Sequence, residues 1–318
     1  MGLLIEGFWR DQWYDTDKTG GAFERGQSEF RDWVEPDAHA RFAAEPGRYH
    51  LYVSYACPWA HRTLIVRALK GLEEIVTLSI VSPRMGDNGW EFSNFPGVVS
   101  DTVNGTRYLH EIYTLARPDH TGRVTVPVLW DRKERTIVSN ESAEIVRMFN
   151  SAFDGVGADS TVDMYPQDLR EEIDAINATV YEHVNNGVYK AGFATKQDAY
   201  EEAYGKLFET LDMIEERLGR QRYLAGDRIT EADWRLLTTL LRFDPVYHGH
   251  FKCNRQKLAE FRNLWNYTLD LYQHPGVAGT VRLDHIQTHY YWSHPQVNPT
   301  RIVPAGPAID YDQAHDRG

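Results

Sequence analysis

Alternating β and helical patterns over residues 49–149, the loss of β signal after about residue 155, and a cysteine opening the first helix predict a two-part fold. The first part is an α/β unit of thioredoxin-like arrangement, the second an all-α unit. In order, a short β run (Tyr49, Leu51, Val53, Tyr55) leads into a helical pattern over 58–70. Gly71 stands where a left-handed residue closes a helix, and Ile75 to Val81 reads as the next strand. A strand–helix–strand unit of this kind implies a parallel pair joined by a right-handed crossover. After the long loop SPRMGDNGWEFSNFPGVV come a helix over Leu109 to Ala116 and a strand over Arg123 to Trp130. A polar turn (Asp131, Arg132, Lys133) precedes the strand Thr136 to Ser139, and a helix begins at Ser142 and runs to Phe149.

Pro127 interrupts the predicted strand Arg123–Trp130. Proline removes a ladder donor, so the position reads either as an ordinary edge-strand proline or as a cis Val126–Pro127 bond. The cis form would leave the Val126 backbone free to pair with a peptide-like ligand. Beyond residue 155 the patterns predict helices over 167–187, 197–218, 231–243 and 256–273, with Thr230 and Asp233 as a capping box. Residues 1–48 read as an irregular extension packed by its aromatics, and four prolines from His294 onward read as an extended tail. The domain boundaries expected are therefore 1–48, 49–155, 156–293 and 294–318.

Cys57 carries the chemistry. In the run YACPWAHR it falls at the N-cap, with Pro58 in the first turn where a missing N–H costs nothing. Unpaired N–H groups and the positive end of the helix dipole favour an anion there, and a free thiol has a pKa of about 8.5. A disulfide exchanger would carry a second cysteine at the position of Ala60. Without it, a mixed disulfide on Cys57 needs an external thiol, of which glutathione is the abundant cellular example. The competing reading is a small buried hydrophobe.

Composition narrows the classes. Lys and Arg total 34 against 46 Asp and Glu, a net charge of −12, which argues against a nucleic-acid binder needing a basic face. Two cysteines far apart in sequence are not a disulfide framework, and no secretory or membrane-spanning pattern is evident, so a cytoplasmic protein without membrane contact is expected. His248, His250 and Cys253 mimic metal spacing but lack a second ligand cluster, so no metal is expected. His61, one turn past Cys57, could act as a base but reads rather as a helix-surface or structural residue.

The segments YACPWAHR, RVTVPVLWD, IVSNESAEI, NNGVYKAGFA, DPVYHGHFKCN and HYYWSHPQVNP resemble the glutathionyl-hydroquinone reductases, the Xi class of glutathione transferases. GAFERGQSEFRDWV near the start is also similar, so the resemblance covers nearly the whole chain. It implies the glutathione transferase fold, glutathione as co-substrate and homodimerisation. The implied reaction removes glutathione from a glutathionyl-hydroquinone through a Cys57–glutathione disulfide, which a second glutathione resolves.

By residue, the resemblance implies that Val126, Pro127 and Arg123 meet the glutathione backbone. Glu141 and Ser142 take its γ-glutamyl end, and Trp90 lies over the tripeptide. Tyr189 matches a proton donor, and Tyr247 and Tyr290 match tyrosines that hydrogen-bond the thiolate. On residues alone these tyrosines read as packing aromatics, whereas Trp90 reads as an exposed aromatic with something to cover. Two rivals stand beside this reading: an omega-like thiol transferase or dehydroascorbate reductase, and a non-catalytic glutathione-binding scaffold.

Overall fold

The computed structural model describes residues 2–317; Met1 and Gly318, the ends of the first and last predicted segments, lie outside them. Packing divides the chain into two units. The first comprises the residues through Trp13, Gly26–Asp163 and Thr280–Ser293; the second comprises Tyr14–Arg25, Met164–Gly279 and the tail from His294. Of the sequence-drawn boundaries, 293/294 coincides with one of these divisions, whereas 48/49 and 155/156 do not.

In the first unit, the residues through Trp13 are not irregular. Strands β1 (Leu3–Ile5) and β2 (Phe8–Arg10) form a hairpin, and β1 also pairs with β5 (Gly122–Arg123). The main sheet is built from β3 (Tyr49–Val53), β4 (Val76–Ile80), β6 (Val128–Asp131) and β7 (Thr136–Ser139), in the order β4-β3-β6-β7. β3 and β4 are parallel, and the other two pairings are antiparallel, as the thioredoxin-like arrangement requires. The predicted strand Arg123–Trp130 is thus two strands in two sheets. Its middle, 124–127, is a buried connection belonging to neither, and the Val126–Pro127 peptide is cis.

Helix α1 (Pro58–Leu69) follows β3, and α2 (Leu109–Ala116) packs on β7. Helix α3 (Ser142–Ser151) packs on α1. Gly71 closes α1 as expected. At φ 62° it lets the Gly71 N–H reach the Ala68 carbonyl (3.1 Å) and the Leu72 N–H reach that of Arg67 (2.9 Å), a Schellman arrangement. The ion pair of Arg48 with Asp131 is nearly solvent-free, and Asp131 also accepts from the Lys133 N–H at 2.8 Å, tying the start of β3 to the end of β6.

His50 in β3 gives the unit a measurable acid sensitivity. Its ring lies fully buried between Thr77 Oγ1 (2.6 Å) and Ser79 Oγ (2.9 Å). Burial first, and then the nearby Arg132 cation, push its pKa down to about 4. The unfolded side chain titrates at about 6.5, so the folded state binds fewer protons between these values. The contribution is therefore complete above about pH 6.5 and is lost as the pH falls through 4. At pH 5 about 1.5 units have been traversed, or about 2 kcal/mol. A His50→Asn variant should show a flatter fall in urea midpoint between pH 7 and 5 than the parent. Parallel slopes would exclude this account. Asp101, held low by hydrogen bonds from Asn104 and Thr106 although burial opposes them, acts in the same direction but below pH 4.

The second unit is helical. It contains α4 (Arg170–Val180), α5 (Gly187–Phe193), α6 (Gln197–Leu218), α7 (Glu231–Leu240) and α8 (Arg262–Gln273). Three predicted helices are shorter or broken; the 256–273 helix begins only at Arg262, after a separate 3-10 turn over Leu258–Glu260. The first, 167–187, ends in a π turn over Tyr181–Asn185, which the Asn186 N–H closes on the Tyr181 carbonyl at 2.9 Å. The predicted 231–243 helix stops at Leu240, and a second π turn, Phe243–Tyr247, is closed by the His248 N–H on Phe243 at 2.8 Å. Single π turns are frequent at functional sites, and each here lies within four residues of a candidate tyrosine. The capping box of Thr230 and Asp233 forms as expected. Among its described residues the tail has no helix or strand, and Tyr311 anchors it by donating to the Leu241 carbonyl at 3.0 Å. A helix outside the predictions, α9 (Leu283–Ser293), belongs to the first unit.

Candidate active site

Cys57 is the N-cap of α1, with extended backbone (φ −78°, ψ 121°) and Pro58 behind it. Its carbonyl accepts the His61 N–H at 2.9 Å, closing the first turn. The thiol is half-buried and makes no side-chain cap. The N–H of Ala60, fully buried, therefore has no partner among the described residues. An orphan donor at a helix N-terminus beside a sulfur is a place for a negative charge.

Cys57 Sγ instead approaches the Val126 carbonyl, at 3.6 Å. Val126 is buried, and its N–H takes no partner among the described residues. The thiol therefore sits against a short stretch of backbone with an unused donor, which can pair with an extended peptide. This stretch is held from behind by Tyr113 of α2, a residue the sequence reading missed. The Tyr113 hydroxyl donates to the Thr125 carbonyl (2.8 Å) and accepts from the Thr125 N–H (3.2 Å) and Asn140 Nδ2 (3.1 Å). Complete burial pushes the Tyr113 pKa up, so the phenol stays a donor.

Asn140 connects this loop to Glu141 and Ser142. It also accepts from the Phe30 N–H (3.2 Å) and so fixes the entry to α3. Glu141 is the N-cap of α3; its carboxylate accepts the Ala143 N–H (3.1 Å) and the Ser28 hydroxyl (3.0 Å) and remains half-buried. The Ser142 N–H, in the first turn, takes no partner among the described residues. A carboxylate beside an open helix N-terminus can hold an ammonium and a carboxylate together, as in an amino-acid group.

Other expected site residues fall differently. The Arg123 guanidinium donates to the Trp13 carbonyl (3.1 Å) and to that of Gln12, clamping the N-terminal segment. Trp90 is not exposed: only 4% of its surface is accessible, and its ring stacks on His289 at 4.7 Å. Tyr290 is buried in α9. His61 is buried, and its Nε2 pairs with Thr280 Oγ1 at 2.8 Å, a structural duty.

Tyr189 and Tyr247 belong to the second unit. There they join Phe251 in an aromatic cluster: Tyr189 meets Tyr247 and Phe251 edge-on at 6.0 and 5.5 Å, and Tyr247 stacks on Phe251 at 5.5 Å. Gly192 permits this packing, since a Cβ there would lie 2.1 Å from the Phe251 ring. Nearby, burial first and then Lys252 push the His250 pKa down to about 4, and burial pushes the Cys253 thiol up, so that cysteine is an inert core group. Among the described residues, no three His, Cys, Asp or Glu side chains converge as for a metal.

Residues 56–152 match the model of the glutathione S-transferase N-terminal domain, and residues 197–268 match that of its C-terminal domain. The chain is 54% identical to the glutathionyl-hydroquinone reductase YqjG of Escherichia coli (strain K12), over 100% of its own length and 98% of the relative's. It is 57% identical to the glutathionyl-hydroquinone reductase PcpF of Sphingobium chlorophenolicum, over 97% of each chain. The glutathione-bound structure of YqjG matches with a TM-score of 0.91 and 51% identity over 99% of each chain.

Proposed function

We propose, since this chain belongs to the glutathionyl-hydroquinone reductases, the Xi class of glutathione transferases, that it reduces glutathionyl-hydroquinones with Cys57 as its nucleophile. The observation that carries the assignment of Cys57 is its half-buried thiol at the start of α1, 3.6 Å from the carbonyl of a residue whose N–H is unused. A glutathionyl group pairing its backbone with Val126 brings its own sulfur to that thiol. Pro127 and the Tyr113 brace keep the Val126 backbone in place, and Glu141 with the Ser142 N–H takes the γ-glutamyl ammonium and carboxylate. Arg123 supports the same wall through its hold on Gln12 and Trp13, and Trp90 covers the tripeptide.

The Cys57 thiolate attacks the glutathionyl sulfur. A sulfur–sulfur bond forms, the sulfur–carbon bond breaks, and the ring carbon leaves with the electron pair and takes a proton. Tyr189 is the proposed donor of that proton, and Tyr247 and Tyr290 the proposed hydrogen-bond donors to the thiolate. A second glutathione thiolate then attacks the Cys57–glutathione disulfide, releasing oxidised glutathione and restoring Cys57. Two sulfurs are oxidised while one ring carbon is reduced, so no metal or other cofactor is required. The absence of a second cysteine within reach of Cys57 in α1 supports resolution by an external thiol.

The same reading makes the protein a cytoplasmic homodimer. No helix among the described residues is long and apolar enough to cross a membrane, and both cysteines are free thiols. The test is turnover of a glutathionyl-hydroquinone with glutathione, followed by hydroquinone release, in the parent and in Tyr189→Phe. The variant should lose about 10²-fold or more of hydroquinone release while keeping thiol exchange with a simple glutathione disulfide. Equal loss of both activities would remove Tyr189 from the proton-transfer role, and no turnover by the parent would remove the reductase reading.

A further inference from the structure

Helix α9 comes from the far end of the chain, yet it fastens the two loops that emerge at the carboxyl end of the β3–β4 pair. Those loops are residues 54–57, which end at Cys57, and residues 82–99, which carry Trp90; the parallel register Val53↔Ile80 sets their starts side by side. Ligands of parallel sheets gather at this end of the strands. Along α9 and the residues leading into it, Thr280 pairs with His61 in α1, and the His285 ring packs edge-on against Tyr55 at 5.3 Å. His285 Nε2 donates to the Pro96 carbonyl at 2.6 Å. One turn further, His289 Nδ1 donates to the Pro83 carbonyl at 2.9 Å while its ring carries that of Trp90. Ser293 completes the clamp: its hydroxyl donates to the Pro83 carbonyl (3.1 Å) and accepts the Met85 N–H (3.0 Å).

We infer that His289 is a positioning residue for the thiol-transfer reaction: it fixes the 82–99 loop, and Trp90 within it, at the end of the sheet where Cys57 lies. Three features set it apart from ordinary packing. Three of the buried residues along this helix, His285, His289 and Ser293, are polar, and each makes a hydrogen bond to the same loop. A loop of this length carries no sheet pairing beyond isolated bridges, so its course depends on such anchors. Stacking and hydrogen bonding also act from the same ring, so the orientation of the indole and the course of the backbone are set together. The inference rests on the reading of Cys57 as nucleophile toward a glutathionylated substrate.

The experiment is a double-mutant cycle of His289→Ala and Trp90→Ala, with His289→Phe and His289→Asn as partial restorations. Each protein is assayed for KM and kcat with a glutathionyl-hydroquinone, for thermal melting, and for alkylation of Cys57 by iodoacetamide. His289→Ala should raise KM about tenfold with kcat within about threefold, and the effect should largely vanish in the Trp90→Ala background. Phenylalanine, which keeps the ring, should recover more of the KM than asparagine, which keeps only a donor. Additive effects of the two alanine substitutions, or a loss of kcat that simply tracks melting, would overturn the inference. Failure of the underlying reading looks different: the parent itself would then turn over no substrate, although its Cys57 is still alkylated.

Discussion

Cys57→Ser should reduce hydroquinone release by at least about 10³-fold, to the uncatalysed background, while leaving the melting temperature unchanged or slightly higher. The two expectations have separate physical origins. A serine oxygen cannot form the sulfur–sulfur bond on which the reaction depends, so no alternative orientation rescues the variant. Serine is, however, a better N-cap than cysteine, and α1 begins at this residue with no side-chain cap in place. The unused Ala60 N–H would gain an acceptor, worth up to about 1 kcal/mol. A folded and well-capped protein without activity would locate the loss in chemistry rather than in folding. Mass spectrometry of the intact chain gives the second readout. The parent, given glutathionyl-hydroquinone without free glutathione, should gain one glutathionyl group, whereas Cys57→Ser should gain none. Turnover by the serine variant at more than a few per cent of the parent would rule out Cys57 as nucleophile.

The parts of this site legible in the sequence were those whose signals are local. An N-cap followed by Pro58, a Gly71 closing the same helix, and a proline interrupting an apolar run each state a backbone conformation within a few residues. The four-stranded sheet followed, because strand alternation and turn residues fix register over short distances. What escaped depends on partners distant in sequence. The β1–β2 hairpin has three residues per strand, too few for a period, and its other neighbour β5 lies more than 100 residues away. Tyr113 and Asn140 look like any helix tyrosine and loop asparagine until folding sets the Tyr113 hydroxyl between Thr125 and Asn140. Helix α9 gives no clear apolar stripe because part of its buried face is histidine and serine, satisfied by the 82–99 loop. The same pairing explains why Trp90 is covered rather than exposed.

Asp233→Ala should be the most destabilising single substitution of those considered, at about 3–5 kcal/mol, a fall in melting temperature of about 10 °C. The carboxylate is fully buried and accepts from the Thr230 N–H (2.7 Å), the Leu224 N–H (2.9 Å), the Tyr267 hydroxyl (2.8 Å) and the Thr230 hydroxyl (3.1 Å). One side chain therefore caps α7, holds the 222–226 turn and satisfies a phenol of α8. Alanine leaves two backbone donors and two hydroxyls without this acceptor, each costing about 1–3 kcal/mol, with some overlap as water enters. Burial pushes the Asp233 pKa up, while the hydrogen bonds from Leu224, Thr230 and Tyr267 pull it down. An asparagine side chain would keep one acceptor oxygen and shed the charge, so Asp233→Asn should lose only about 1–2 kcal/mol. The ranking Ala below Asn below parent, read from urea or thermal unfolding of the full chain, distinguishes lost hydrogen bonds from lost charge. Equal effects of the two substitutions would mean that the negative charge itself, not the acceptor geometry, holds the cap. Since α7 runs into the π turn that ends at Tyr247, activity in both variants should fall along the unfolding curve and be intact below it. A loss of activity at temperatures where the fold is complete would show that the cap reaches the chemistry directly.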